Sequence, residues 1–189
     1  GKDYHKILEK KLKVFISKMK VMFPHAIFRS YVDYGPVLER AYAEKSGIGF
    51  IGKNGNIISK EFGSWIFLAS VITNIELPYD EPSIRRCGSC TRCMDACPTK
   101  AIISAGMIDA RKCLAYQTIE NKGKIPEKIA DKMGDILFGC DICQEVCPHN
   151  CKAKETKHAE FLGSNEFLEV NEILEMDEES FQKKFTGTS

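Results

Sequence analysis

An α+β fold is what this sequence predicts, on three observations. An apolar pattern of helical period opens the chain, short β-rich runs follow between turn signals, and a cysteine-dense stretch then leaves little room for regular structure. Tyr4, Leu8, Leu12, Phe15, Met19 and Met22 recur at helical spacing, predicting an amphipathic helix over 3–22 closed by Pro24. "AIFRSYV" (26–32) has strand character, and Pro36 then opens a second helix that runs to about Lys45 and ends at Gly47. "NIIS" and "SWIFLASVIT" (64–73) read as buried strands joined at the Phe62-Gly63 turn signal. "ELPYDEP" (76–82) is a proline-bearing linker, after which the composition changes sharply. From Cys87 to Cys151 the chain is cysteine-rich, and the acidic run "EFLEVNEILEMDEES" (166–180) opens a further, helical segment.

The bulk numbers exclude several classes. With 189 residues, 43% hydrophobic and 28% charged, the chain can bury a real core and has ordinary globular composition. Its longest apolar run, "SWIFLASVI" (64–72), is far short of the ~20 residues that cross a bilayer, so no membrane association is expected. The lysine-rich, amphipathic start carries no signal-peptide pattern, which makes the cytoplasm the default compartment. A formal net charge of +1 exerts no global pull on nucleic acid, and the sequence calls for no partner subunit, so a monomer is expected.

The cysteines carry the chemistry. There are nine, an odd count, and eight lie between Cys87 and Cys147 in tight C-x-x-C groups, which in a reducing compartment favours metal over disulfides. "CGSCTRCMDACP" (87–98) is C-x2-C-x2-C-x3-C-P, the run that holds a [4Fe–4S] cube with three cysteines and lends the fourth to a second cube. Zinc needs two separated pairs for tetrahedral closure and explains neither the third C-x2-C step nor Pro98. "GCDICQEVCPHNC" (139–151) is one cysteine short of the same run. If Cys147, before Pro148, crosses back, the first cube takes Cys87, Cys90, Cys93 and Cys147. The second is left with Cys97, Cys140 and Cys143, and Cys113 in "DARKCLAY" is the candidate for its fourth ligand. A buried free thiol is the other reading of Cys113, but the ligand arithmetic favours metal. Cys151 is left over as a non-ligand. Two such clusters carry single electrons, so they are wiring for chemistry elsewhere and imply a low-potential electron donor.

Two other motifs dissolve on inspection. "GIGFIG" (47–52) matches G-x-G-x-x-G, but a helix precedes it and a strand-like segment follows, the reverse of the dinucleotide fingerprint. "DYHKIL" (3–8) begins like the cobalamin-ligand pattern D-x-H-x-x-G but has Leu8 where glycine belongs, so His5 is read as a surface residue.

"VDYGPVLERAYAEKSGIGFIGKN" (32–54), the complete cysteine run at 87–98, "DARKCLAYQTIENKG" (109–123) and "FGCDICQEVCPHN" (138–150) together resemble the epoxyqueuosine reductases, in the same order and in near-identical form. What the resemblance implies is a cobalamin-dependent enzyme with two [4Fe–4S] clusters, related to the reductive dehalogenases. Its members remove the epoxide oxygen of epoxyqueuosine in tRNA, giving queuosine. On that footing residues 1–80 are part of a cobalamin-binding reductase core, 81–151 a ferredoxin-like two-cluster domain, and 152–189 the start of a C-terminal helical segment. The family extends further in both directions, so the chain reads as a fragment.

The resemblance also implies roles. The family's cluster ligands fall on the eight cysteines above with the same crossing. Its proton donor falls on Asp33, which would otherwise be read as a polar residue at a helix N-terminus; partial burial of a donor there would raise its pKa toward the working range. Asp33, Gly52, Lys53, Asn54, Ile57, Leu68, Val71, Cys140 and Asp141 fall near the corrin, although Leu68 and Val71 could as well be plain core. Asn121, Lys122 and Lys124, on the loop within "TIENKGKIPEK" (118–128), suit phosphate or base-edge contacts with tRNA, the alternative being a solvated lysine loop. The implied reaction relays electrons through the clusters to cobalamin, attacks the epoxide with cob(I)alamin, and protonates the opening oxygen from Asp33. A stand-alone electron-transfer module and another cobalamin reductase, such as a dehalogenase, are the rival readings.

Overall fold

The computed structural model describes residues 2–161 and 169–187. The chain divides into two compact units, one drawn from Gly1–Val37, Ala69–Leu77 and Glu155–Ser189, the other from Leu38–Leu68 and Pro78–Lys154.

In the first unit the predicted opening helix forms as α1, Tyr4–Met22. Asp3 caps it, its carboxylate accepting from the His5 N–H at 3.0 Å, and the chain leaves the helix at Phe23 ahead of Pro24. Its apolar stripe is only partly covered: Ile7 is buried, whereas Phe15 and Met22 remain exposed. Among the described residues of this unit, β1 (Phe28–Tyr31) and β4 (Ser70–Thr73) form a two-stranded antiparallel ribbon, with Phe28 opposite Thr73 and Tyr31 opposite Ser70. The expectation of a long buried strand over 64–73 is corrected here. Only its last four residues pair, and Trp65 and Phe67 stay largely exposed. The physical cause lies at Ser64, whose backbone N–H donates to Asn150 Oδ1 at 2.7 Å and whose hydroxyl donates to Gln144 Oε1 at 2.9 Å. Side chains hold that end of the run, and no strand partner is left for it. Two short helices complete the unit, α7 (Val170–Leu174) and α8 (Glu178–Phe185), the latter capped by Asp177, which accepts from the Ser180 N–H at 2.8 Å. The acidic run is therefore helical over α7 and the start of α8; its residues 166–168 lie outside the described residues.

The second unit begins with α2, Glu39–Lys45. It starts three residues later than Pro36 predicts, because Gly35 sits at φ +119° and no side chain caps the helix before Leu38. The hairpin β2 (Gly49–Ile51) and β3 (Ile57–Ser59) follows, in antiparallel register with Phe50 opposite Ile58. Here the glycines of "GIGFIG" find their reason: a Cβ at Gly49 would meet the Ile58 carbonyl oxygen at 2.5 Å, and one at Gly52 would meet Ile58 Cδ1 at 2.6 Å. Phe50 and Ile58, each 1% exposed, form the innermost packing together with Cys147, and Cys87 packs against them. The hydrophobic core of this unit is thus built directly onto two of the cysteines. Beyond it come α3 (Arg92–Ala96), the hairpin β5 (Ile102–Ser104) with β6 (Met107–Ile108), and the short helices α4 (Leu114–Ile119), α5 (Glu127–Ala130) and α6 (Ile142–Glu145). No helix among the described residues is long and apolar enough to cross a membrane.

Candidate metal centre

Each cysteine run folds as a tight loop leading into a single helical turn. The Cys90 N–H bonds the Cys87 carbonyl at 3.3 Å, Thr91 turns into α3 with its hydroxyl donating to Asp95 Oδ2 at 2.7 Å, and Cys93 rides on that helix. In the second run Asp141 precedes α6, Cys143 lies on it, and the Cys147 N–H closes the turn on the Gln144 carbonyl at 3.1 Å. The two helical turns α3 and α6 pack against each other. Asn150 ties the second run down, accepting from the Ser64 N–H and donating through Nδ2 to Ser64 Oγ at 2.8 Å and the Gln144 carbonyl at 2.7 Å.

Packing brings the cysteines into two groups. Cys87, Cys90, Cys93 and Cys147 line one small cavity, together with Lys53, Asn54, Ile58, Pro148 and His149. Cys140 feels the charge of Cys113 and Cys97, and Cys143 that of Cys140, Cys113 and Cys93. Cys113 stands at the start of α4. Among the described residues no three or more His, Cys, Asp or Glu side chains converge closely enough to hold a single metal ion. Cys151 stands apart, exposed, with its thiol donating to the Pro148 carbonyl at 2.8 Å.

Metal-free, four of these thiols resist ionisation. Burial, then the charge of Cys140 and Cys113, pushes Cys143 from 9.0 up to about 12. Burial raises Cys93, Cys140 and Cys147 as well, each helped by neighbouring cysteines. Cys97 is the exception. Burial pushes it up, but the Ala101 N–H at 3.2 Å, joined by the Thr99 hydroxyl and further backbone N–H groups, outweighs burial and holds it below its usual value. The chemistry of the donor set fits iron–sulfur clusters, since cations are what crowded, half-buried thiolates lack.

The candidate corrin contacts are spread over both units. Asp33 and Val71 belong to the first; Gly52, Lys53, Asn54, Ile57, Leu68, Cys140 and Asp141 belong to the second. Asn54 and Ile57 are 7% and 3% exposed, and the Asn54 side chain is engaged with the Cys143 carbonyl at 3.3 Å and the Asn56 N–H at 3.3 Å. Lys53, Leu68, Val71 and Cys140 are half-buried, and Asp33 and Asp141 exposed, so these six retain surface to offer a cofactor.

Asp33 occupies a left-handed backbone position, φ +60°, which aspartate tolerates better than most residues and which concentrates at functional sites. Its side chain is 66% exposed, so the partial burial expected of it is not met. Hydrogen bonding defines its setting instead: the Tyr4 hydroxyl donates to Asp33 Oδ2 at 2.6 Å, and His5 Nε2 lies 3.9 Å from the same oxygen. His5 is itself held by Asp3 Oδ1 at 2.9 Å and stacks on the Tyr4 ring with centroids 4.0 Å apart. His5 is therefore half-buried and aimed at Asp33, not the surface residue its motif implies. On the candidate tRNA loop Lys122 and Lys124 are exposed, whereas Asn121 is engaged internally, donating to Gln117 Oε1 at 2.7 Å and accepting from the Gly123 N–H at 2.9 Å.

Sequence reasoning missed Tyr4, His5, Ser64 and Asn150. Their partners lie 28 to 86 residues away, with no spacing signal to announce them.

Comparison with known proteins agrees with this geometry. Residues 86–150 match the family model described as a 4Fe-4S double cluster binding domain. The chain is 45% identical over 193 residues to an epoxyqueuosine reductase of Synechocystis sp., covering 100% of this chain and 67% of that protein. A solved epoxyqueuosine reductase with a tRNA-Tyr epoxyqueuosine-modified tRNA stem loop matches at TM-score 0.93 and 39% identity, over 100% of this chain and 50% of that one. A third relative, an epoxyqueuosine reductase from Bacillus subtilis with its catalytic aspartate loop swung out of the active site, matches at TM-score 0.90 and 38% identity, again over 50% of that chain. The chain thus spans about half to two thirds of the length of the relatives it matches.

Proposed function

The chain belongs to the epoxyqueuosine reductase family, and from that premise we propose that it is the cluster-bearing part of an oxidoreductase that converts epoxyqueuosine in tRNA to queuosine. The observation that carries the reading is a cavity lined by Cys87, Cys90, Cys93 and Cys147 within a segment matched to a double-cluster domain. Cys87, Cys90, Cys93 and Cys147 hold one [4Fe–4S] cube; Cys97, Cys113, Cys140 and Cys143 hold the other. Each passes one electron at a time from a low-potential donor.

The net reaction takes two electrons and two protons, and turns an epoxide into an alkene and water. Bound cobalamin supplies a strongly nucleophilic reduced cobalt for opening the epoxide. The family likeness assigns its contacts to Asp33 and Val71 in the first unit and to Lys53, Leu68, Cys140 and Asp141 in the second, where Gly52, Asn54 and Ile57 shape the local loop and core. Asp33 protonates the oxygen as the ring opens. Tyr4 fixes the Asp33 carboxylate through its 2.6 Å hydrogen bond, and His5, held by Asp3, stands beside it. The relative with a mobile, aspartate-bearing catalytic loop supports an aspartate in this role. Lys122 and Lys124 contact tRNA phosphates, with Asn121 shaping their loop; the relative solved with a tRNA stem loop supports RNA as the partner.

The reading is tested with the full-length protein under anaerobic conditions. Eight irons per chain, corrin absorption bands that change on adding epoxyqueuosine-tRNA, and release of queuosine-tRNA are expected. Eight irons with no corrin bound would make the chain an electron-transfer module instead.

A further inference from the structure

Lys53 and Asn54 are adjacent in sequence but reach different cysteine loops. The Lys53 backbone N–H donates to Cys87 Sγ at 3.4 Å, and its ammonium donates to the Gly88 carbonyl at 2.9 Å, so residue 53 grips the first loop twice. The Asn54 amide reaches the second loop at the Cys143 carbonyl, 3.3 Å away. Lys53 is no free-swinging surface lysine: its own carbonyl accepts from the Gly106 N–H at 3.0 Å, its side chain is half-buried, and it lines the cavity between Cys87, Cys90, Cys93 and Cys147.

The two loops differ in charge. "SIRRCGSCTRC" (83–93) carries three arginines and no carboxylate, and Lys53 adds a fourth cation from outside. "GCDIC" (139–143), which supplies Cys140 and Cys143, carries Asp141 and no cation, and the Asp141 charge acts on both thiols. A backbone N–H donates to a sulfur in each proposed quartet, Lys53 to Cys87 at 3.4 Å and Ala101 to Cys97 at 3.2 Å, so N–H···S bonding does not separate them. Fixed charge does. Reduction adds negative charge to a cluster, a nearby cation favours it, and a nearby carboxylate opposes it.

We infer that Lys53 sets the redox split between the two cubes, holding the cluster of Cys87, Cys90, Cys93 and Cys147 at a higher potential than the cluster beside Asp141. This inference rests on the two-cube reading proposed above. The first cube then fills first and stores an electron, and the cube of Cys140 and Cys143 is the stronger reductant of the pair.

The test is a redox titration of the full-length, fully reconstituted protein, followed by electron paramagnetic resonance. Wild type is expected to show two separated waves. Lys53→Met, which keeps the stem and removes the charge, is expected to move only the higher wave to more negative potential, and Lys53→Arg to leave it in place. Asp141→Asn is expected to raise only the lower wave. Lys53→Met moving neither wave or both equally would overturn the inference, as would Lys53→Arg falling as far as Lys53→Met. If Lys53→Met fails to hold eight irons, the Asp141→Asn titration decides alone: no selective rise overturns the charge origin of the split. Wild-type protein holding eight irons with coincident waves overturns this inference alone, whereas wild type holding a single cluster removes the two-cube reading itself.

Discussion

At the scale of single residues, the proposed ligand set comes from the sequence because cluster chemistry dictates cysteine spacing, which 87–98 keeps in full and 139–151 keeps but for one cysteine. Cys113 follows by subtraction. The setting of Asp33 is not legible in the same way. Tyr4 and His5 sit on a helix start whose local pattern implies solvent, and only the fold brings them to a carboxylate 28 residues on. Replacing Asp33 by Asn removes the proton source and should lower turnover by about 10²–10⁴-fold while iron and cobalamin contents hold, which metal analysis alongside product assay will show. Tyr4→Phe keeps the ring stack on His5 and removes the 2.6 Å hydrogen bond; a smaller fall in turnover, again at full iron content, is the expected outcome. Cys143 gives a pH prediction. Its thiol titrates near 9.0 when unfolded and is pushed by burial up to about 12 in the metal-free fold. A raised acid of this kind contributes stability that is present below pH 9 and lost as the pH climbs toward 12, because the unfolded chain ionises first. Denaturation midpoints of the metal-free protein should therefore fall across that window. Iron loading has the opposite slope: it needs thiolates, so it tightens as pH rises.

At the scale of elements, helical period and turn residues located α1, β1, α2 and β3 to within a few positions, since each is set by local sequence. The run 64–73 failed for a non-local reason. Its apolar composition reads as buried strand, yet Ser64 is claimed by Asn150 and Gln144, and pairing begins only at Ser70. Composition cannot reveal which end of a run a distant side chain will hold. The hairpin β2–β3 matters most among the elements, because Phe50 and Ile58 carry Cys147 and Cys87 on their packing. Phe50→Ala should cost about 3–5 kcal/mol of stability. It should also speed loss of the cluster that Cys147 completes, read as decay of visible absorbance under chelator. Asn150→Ala leaves the Ser64 N–H and the Gln144 carbonyl without a partner and should cost about 1–3 kcal/mol in thermal or denaturant unfolding.

At the scale of the molecule, the α+β character and the double-cluster segment were both legible in the sequence, the first from mixed periodicities and the second from spacing. The division into units was legible only where the proline-bearing stretch 76–82 holds the Leu77–Pro78 boundary; the exchanges after Val37 and Leu68 carry no such mark. Under the function proposed above, the chain would contribute two clusters that relay electrons and an aspartate, Asp33, to protonate the opening epoxide. The central claim is that this machinery serves reduction of an RNA-borne epoxide. Its most direct measurement is a single-turnover assay of the full-length protein, anaerobic and loaded with eight irons and cobalamin, mixed with epoxyqueuosine-tRNA and a low-potential reductant. Queuosine-tRNA should form with two electrons consumed per product, and Asp33→Asn should suppress it. Complete cofactor loading with no conversion of the modified tRNA would contradict the assignment.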